Sequence, residues 1–282
     1  MGETIFERVT RQIIDSIEAG ATEFRMPWHV DSAALFYPRN ALSGRAYRGV
    51  NILTLWLGAR SCGFPSGKWA TYRQWSDRGA QVRRAERGFP VIFWERRALT
   101  KDGEEATENN SRFVARAYTV FNVCQVDRWL PEPVPVLPDE ERLHAVEAAF
   151  AMTGAKIKHG ATAASYSPKD DCIHMPAFSR FRDAESYYAV LAHELTHWTR
   201  AKHRLDRRLA GRFGSAAYAM EELVAELGAA FTCASLGIST EPRPDHAAYI
   251  ATWLRVLRDD ARAIFTAAGN AQAAVDLLFG ME

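Results

Sequence analysis

Residues 193–197 read His-Glu-Leu-Thr-His. On a helix, positions i and i+4 stand one turn apart on one face. Both imidazoles then reach one zinc ion, with Glu194 beside them as general base toward a water. The flanking Tyr187, Tyr188, Val190, Leu191, Leu195 and Trp198 give that helix a buried side. The bland alternative is two histidines on a polar face with Glu194 in a surface ion pair. A catalytic zinc needs three protein ligands and an open position. Glu222, in Met220-Glu-Glu-Leu-Val-Ala-Glu226, lies twenty-five residues after His197. It shares a helix face with Glu226 beside the small Ala225 and Ala229, so a second helix can approach closely. Glu222 is then the third ligand, and Glu226 accepts a ligand imidazole N–H. His203 lies where a metzincin's third histidine would lie, but Arg200 stands where that pattern requires glycine. His174, in Cys172-Ile-His-Met175, reads as a strand residue. That strand is a candidate for holding an extended peptide. The chemistry is metal-assisted peptide hydrolysis, with Tyr218 or a nearby Arg or His as candidate help for the oxyanion.

A second set of residues has a different chemistry. Residues 39–97 hold 12 Lys+Arg against 3 Asp+Glu. Residues 1–128 are net +5 and residues 129–282 net −4, so the overall +1 conceals a basic front half. Five of the eight tryptophans fall within the first 94 residues, interleaved with those arginines. Cations neutralise phosphates and aromatic faces stack on unpaired bases, a combination that fits single-stranded DNA. Arg48, Lys68, Arg73, Arg83, Arg84 and Arg87 are the candidate cationic contacts. Tyr47, Tyr72 and Trp75 are candidate stacking residues, although any single Trp is more often core.

The elements that must position these residues follow from periodicity. Phe6–Ala19 is an amphipathic helix, Tyr47–Leu57 is helical after a turn, and Thr71–Arg78 is a short helix closed by Gly79. Gln81–Arg84, Phe89–Trp94 and Phe113–Val123 read as strands, with the polar Thr100–Arg112 as an exposed hairpin loop. Four prolines in Trp129–Glu141 make an extended linker. Beyond it, Glu140–Thr153, Ala184–Arg200, Ala216–Leu236 and Asp245–Ala268 read as helices, with short strands at Lys156–Lys158 and Cys172–Met175. The expected fold is α+β: a DNA-binding domain with an antiparallel sheet over 1–128, a linker over 129–140, and a mostly helical zincin-like domain over 141–282. At 48% hydrophobic and 24% charged, the composition excludes a chain that is disordered throughout. No apolar run approaches the ~20 residues of a membrane span, and no secretory leader is evident. Four widely spaced cysteines form no CxxC, which fits a reducing cytoplasm.

Arg48-Gly-Val-Asn51, Lys68-Trp-Ala-Thr-Tyr-Arg-Gln-Trp75, Gly79-Ala-Gln-Val-Arg83 and Glu86-Arg-Gly88 resemble the single-stranded-DNA-binding domain of ArdC-type antirestriction proteins. That domain type also begins plasmid primases of the TraC kind. Phe121-Asn-Val123, His193–Trp198, Arg204-Leu-Asp-Arg207 and Glu221–Glu226 resemble the remainder of that family, a zincin-like metallopeptidase domain. The resemblance runs over about residues 6–280. It implies a plasmid- or phage-borne protein, active during conjugation, that shields incoming DNA from restriction, with one zinc or other divalent ion per chain. One departure is Arg84-Ala-Glu-Arg87, where lysine is expected before the Gly88 turn; the charge is kept. Three readings stand: an antirestriction protein with a metallopeptidase-like site, a peptidase cleaving a DNA-bound regulator, and a steric DNA protector with structural zinc. A primase is disfavoured, because no polymerising domain follows residue 130.

Overall fold

A computed structural model describes residues 3–21, 26, 28–29, 37–98, 111–129, 139–209, 215–238 and 247–280. The expected loop over 100–112 and linker over 129–140 lie largely outside these residues. Helix α1 (Ile5–Gly20) starts at a capping box in which Thr4 and Glu7 satisfy each other's backbone N–H groups. Helix α2 (Val50–Cys62) is buried along most of its length and ends at Gly63, whose left-handed φ of 64° closes it. Strands β1 (Arg39–Asn40), β2 (Lys68–Thr71), β4 (Phe89–Ala98) and β5 (Ser111–Asn122) form one sheet in the order β1-β2-β5-β4. The sheet is antiparallel except for its β1–β2 pair. Helix α3 (Tyr72–Asp77) follows β2 directly, capped by Thr71 and Gln74. Of the expected strand at Gln81–Arg84 only β3 (Gln81–Val82) forms, paired with β6 (Val126–Asp127).

The second half opens with α4 (Asp139–Ala151) and a three-stranded sheet of β7 (Lys156–His159), β8 (Ser165–Ser167) and β9 (Cys172–Met175), in the order β7-β9-β8. This order corrects one expectation. Strand β9 is central, with neighbours on both sides, so it has no open edge to offer an extended peptide. Helices α5 (Ala184–Trp198) and α6 (Ala216–Leu236) pack against each other. The helix expected over Asp245–Ala268 is two, α7 (Ala247–Asp259) and α8 (Ala263–Phe279). The break has a local cause: the Asp260 carboxylate accepts from the Arg262 N–H, and the Asp260 carbonyl accepts from the Ala263 N–H.

The charge asymmetry along the chain has no counterpart in the packing. The largest hydrophobic core joins Ile13 and Ile17 of α1, Trp28, and Leu53 and Trp56 of α2 to Leu223 and Phe231 of α6, Trp253 of α7 and Ile264 of α8. Trp28 and Trp253 meet edge-on with ring centres 6.0 Å apart, and Trp56 meets Phe231 at 5.9 Å. Each of these side chains is at most 5% exposed. Helix α2 therefore buries residues from both halves of the chain. A fragment of residues 1–128 is expected to show no cooperative thermal transition by circular dichroism, whereas the full chain unfolds in one. Replacing Trp253 with Ala should cost roughly 3–5 kcal/mol in denaturant unfolding of the full chain.

Candidate metal centre and nucleic-acid interface

Helix α5 carries His193, Glu194 and His197 in its last two turns, all at most 9% exposed. Helix α6 crosses it with no clearance: a Cβ added to Gly228 would lie 2.4 Å from the Thr196 hydroxyl oxygen. Glycine at 228 thus lets the second helix bring three carboxylates against the two imidazoles. The Nε2 atoms of His193 and His197 are 3.2 Å apart; Glu222 Oε2 lies 3.6 Å from the first and Glu222 Oε1 3.6 Å from the second. One ligand atom from each of these residues lies within 4.8 Å of the others.

The opposite ring nitrogens face carboxylates. His193 Nδ1 is 2.9 Å from Glu226 Oε1, and His197 Nδ1 is 3.1 Å from Glu221 Oε1. Carboxylates at Nδ1 fix the tautomer that turns each Nε2 lone pair inward. Glu221 is in turn held by Nε and Nη2 of the buried Arg207, which also donates to Thr196 O and Thr199 Oγ1. Glu226 also reaches across the chain to His29 Nε2, at 3.9 Å. Three inward lone pairs, backed by carboxylates, are a donor set that fits a divalent cation with one position left open.

Burial alone depresses the His197 pKa, but the hydrogen bonds it donates to Glu221 and Glu222 and the charges of Glu222 and Glu194 outweigh it and push it up to about 9. Burial raises the Glu222 carboxyl, yet the two imidazoles win and hold it well below the usual range. The Tyr218 phenol, one turn before Glu222, is raised by burial, by the Tyr249 hydroxyl and by the Glu222 charge, so it keeps its proton.

The sequence-derived residues separate as follows. His193, Glu194, His197, Glu222 and Glu226 share one site. His174 stands apart, 3.4 Å from Asp170 on the outer face of β9, where Asp170, Cys172 and His174 form a second grouping of possible metal donors. His203 pairs with Asp171 at 3.4 Å. Sequence reading missed Glu221, Arg207, His29 and Gly228. The Glu221-Glu222 doublet was the available signal, since adjacent helix positions face different ways and one can ligate while the other backs a histidine.

Similarity to known proteins extends along nearly the whole chain. A family model for the N-terminal domain of anti-restriction factor ArdC matches residues 3–121, and one for a zincin-like metallopeptidase matches 144–270. The crystal structure of the antirestriction protein ArdC of plasmid R388, metal-free, superposes with a TM-score of 0.80 at 40% identity, covering 98% of this chain and 97% of that one. The chain belongs to the ArdC antirestriction family. The Mn(II)-bound R388 ArdC structure matches at TM-score 0.78 and 41% identity over the same shares, so this fold holds a divalent metal in that relative. An uncharacterized protein of Sinorhizobium fredii, y4eC, is 52% identical over 99% of this chain and 92% of its own length. The DNA primase TraC of Escherichia coli is 37% identical over 98% of this chain, which spans 27% of that protein. No described helix is long and apolar enough to cross a membrane.

In the front half the candidates for nucleic-acid contact divide. Trp75 is fully buried and donates its indole N–H to Phe121 O at 3.1 Å, and Tyr47 is 5% exposed; both are core rather than stacking surfaces. Arg48 pairs with Asp276 of α8. Arg83 is drawn inward to Glu86 and the Cys124 carbonyl. Gln125 holds the following turn by donating to Glu86 Oε2 and to Arg87 O. Arg84 and Arg87 are left exposed, with no side-chain partner among the described residues. Tyr72 is half exposed, Arg73 almost wholly so, and Lys68 half-buried at the start of β2.

Two outcomes test the metal geometry. Gly228→Ala forces α5 and α6 apart; it should destabilise the protein by about 1–3 kcal/mol and weaken metal binding, read by denaturant unfolding and calorimetry. Because His197 carries a proton at neutral pH without metal, metal uptake must expel it. Affinity should rise about tenfold per pH unit from 7 to 8 and level off near the His197 pKa. Calorimetry in buffers of different ionisation enthalpy reads the released proton directly.

Proposed function

We propose that this antirestriction protein binds single-stranded DNA through its front half and holds one zinc ion at His193, His197 and Glu222, where it hydrolyses a peptide bond in a protein substrate. The observation that carries the reading is the buried Glu194 beside a three-donor set. A structural zinc takes four protein ligands and needs no such base. A bound divalent ion supplies Lewis acidity and a water of lowered pKa at this position. Glu194 takes the proton from the attacking water and returns it to the leaving amine nitrogen. Tyr218, kept protonated and lying one turn before Glu222, donates to the carbonyl oxygen as negative charge develops there. Glu221 and Glu226 hold the two imidazoles in register, and Arg207 neutralises Glu221.

Support for DNA as partner comes from the exposed Arg84 and Arg87 on a turn pinned from behind, with Tyr72 and Arg73 exposed in the same half. Such a turn costs little ordering when phosphates bind. Zinc, as the metal suited to an N,N,O set with an open position, is favoured over harder cations that prefer all-oxygen shells. The domain limits at 1–128 and 141–282 describe two chemistries on one core, and the cytoplasm, where incoming DNA meets restriction, is the proposed compartment. The steric alternative separates cleanly by experiment.

Glu194→Gln should retain metal and DNA binding and lose at least 100-fold in peptide hydrolysis and in protection of DNA. Undiminished protection by that variant would assign protection to binding alone. Affinity for an oligothymidylate should fall with salt with a log–log slope of about −0.7 per phosphate contact. Arg84→Ala/Arg87→Ala should flatten the slope by roughly 1.4, measured by fluorescence anisotropy across a salt series.

A further inference from the structure

Four of the five exposed aromatic side chains among the described residues lie in the front half: Tyr72, Phe93, Trp94 and Tyr118. Trp94 is the most exposed at 53% and opens onto a cavity of about 410 Å³. This cavity lies on the seam between the halves. Arg48 and Trp94 line it from the front, and Phe265, Ala273 and Asp276 of α8 line it from the back. The Arg48–Asp276 ion pair bridges the two walls. Phe6 braces the indole from one side at a ring distance of 6.1 Å, itself packed on Phe265 at 4.8 Å.

The backbone beside the cavity is equally specific. Strand β4 is the edge of its sheet. In an antiparallel ladder, alternate residues bond to the neighbour and the intervening ones point outward. Ile92 is an outward residue: its N–H donates to Asn51 Oδ1 at 2.7 Å, and its carbonyl accepts from Asn51 Nδ2 at 2.8 Å. Pro90, two residues earlier, fits this phase because it has no N–H to give. Two residues later, Trp94 presents its N–H and C=O to the same edge, and among the described residues nothing takes them. A side-chain amide already fills one such donor–acceptor slot. The next slot lies beside an exposed indole at a cavity of modest size, in a segment whose residues 39–97 carry net +9.

We propose that the seam cavity takes one unpaired nucleobase of a bound DNA strand, stacked on Trp94 and hydrogen-bonded along its edge to the Trp94 backbone. This rests on the DNA reading above and adds to it. The base is gripped by both halves of the chain, while the phosphates belong to the Arg84–Arg87 turn. Stacking is sequence-tolerant because every base has a π-face. The amide-like slot favours bases with adjacent donor and acceptor groups on one edge.

Anisotropy with a fluorescein-labelled oligothymidylate tests it on the full chain. Trp94→Ala should weaken binding roughly five- to hundredfold with an unchanged salt slope, and Trp94→Phe should restore most of the loss. In parallel, an oligonucleotide carrying 4-thiothymidine is photocrosslinked to the unmodified protein, so the result does not depend on a variant folding. Adducts are expected on peptides of β4 around Trp94 and of α8 around Phe265. Wild-type affinity in folded Trp94→Ala, or crosslinks confined to residues 68–87, would overturn the seam pocket alone, leaving the Arg84/Arg87 slope change intact. An unmodified protein that binds no oligothymidylate would remove the DNA reading with it.

Discussion

The contact between Gly228 and Thr196 is the constraint on which the rest of the molecule depends. A helix bearing two histidines one turn apart is only half a metal site. The other half must arrive on a second helix close enough for a carboxylate to reach both imidazoles. Any Cβ at 228 would overlap the Thr196 side chain, so the interaxial distance is set there. From that distance follow the Glu222 approach to both Nε2 atoms and the Glu221 and Glu226 approaches to the Nδ1 atoms. Dispersion and hydrophobic burial along the same two helices then hold the geometry.

The acidic layer behind the histidines is not closed by the second half alone. Glu226 faces His29, whose Nδ1 accepts from the Met26 N–H and whose carbonyl accepts from Arg60 of α2. Arg60 stands near the end of the helix that also carries Trp56 into the shared core. The electrostatics of the metal site and the packing of the front half are therefore linked through one histidine and one arginine. Burying that many carboxylates is tolerable because each meets an imidazole or a guanidinium.

What was legible in the sequence was what periodicity and spacing encode. The i, i+4 histidines, the acid-bearing second helix and the cores of α1 and α6 all announce themselves within a single turn or two. Glu222, which the structure brings to both imidazoles, was legible as a companion to them because a catalytic metal site needs a third donor and few acids had suitable surroundings. Long-range packing was not. Nothing local to Trp28, Trp56 or Trp253 says that they meet, and the charge change near residue 129 pointed toward separate bodies. Trp75 looked like a stacking residue because it sits among arginines, yet α3 turns it inward beneath β5. Trp94 stands among the five front-half tryptophans in the sequence, but its place in an ordinary alternating strand does not mark it as more exposed than the others. The break at Asp260 was hidden because the apolar pattern runs on across it, while the Asp260 carboxylate and carbonyl interrupt the helix locally.

The shared core also bears on inheritance. Both TraC relatives match this chain over 98% of its length, though it occupies only 27% and 20% of theirs. A recombination joint within the proline-rich segment would leave Trp28, Trp56 and Ile13 on one product and Trp253, Phe231 and Ile264 on the other. Each product would expose a large apolar face to water. Selection on such hybrids would favour joints that carry both families' segments together. The segments from α1 to α8 that build this core are therefore expected to be inherited together.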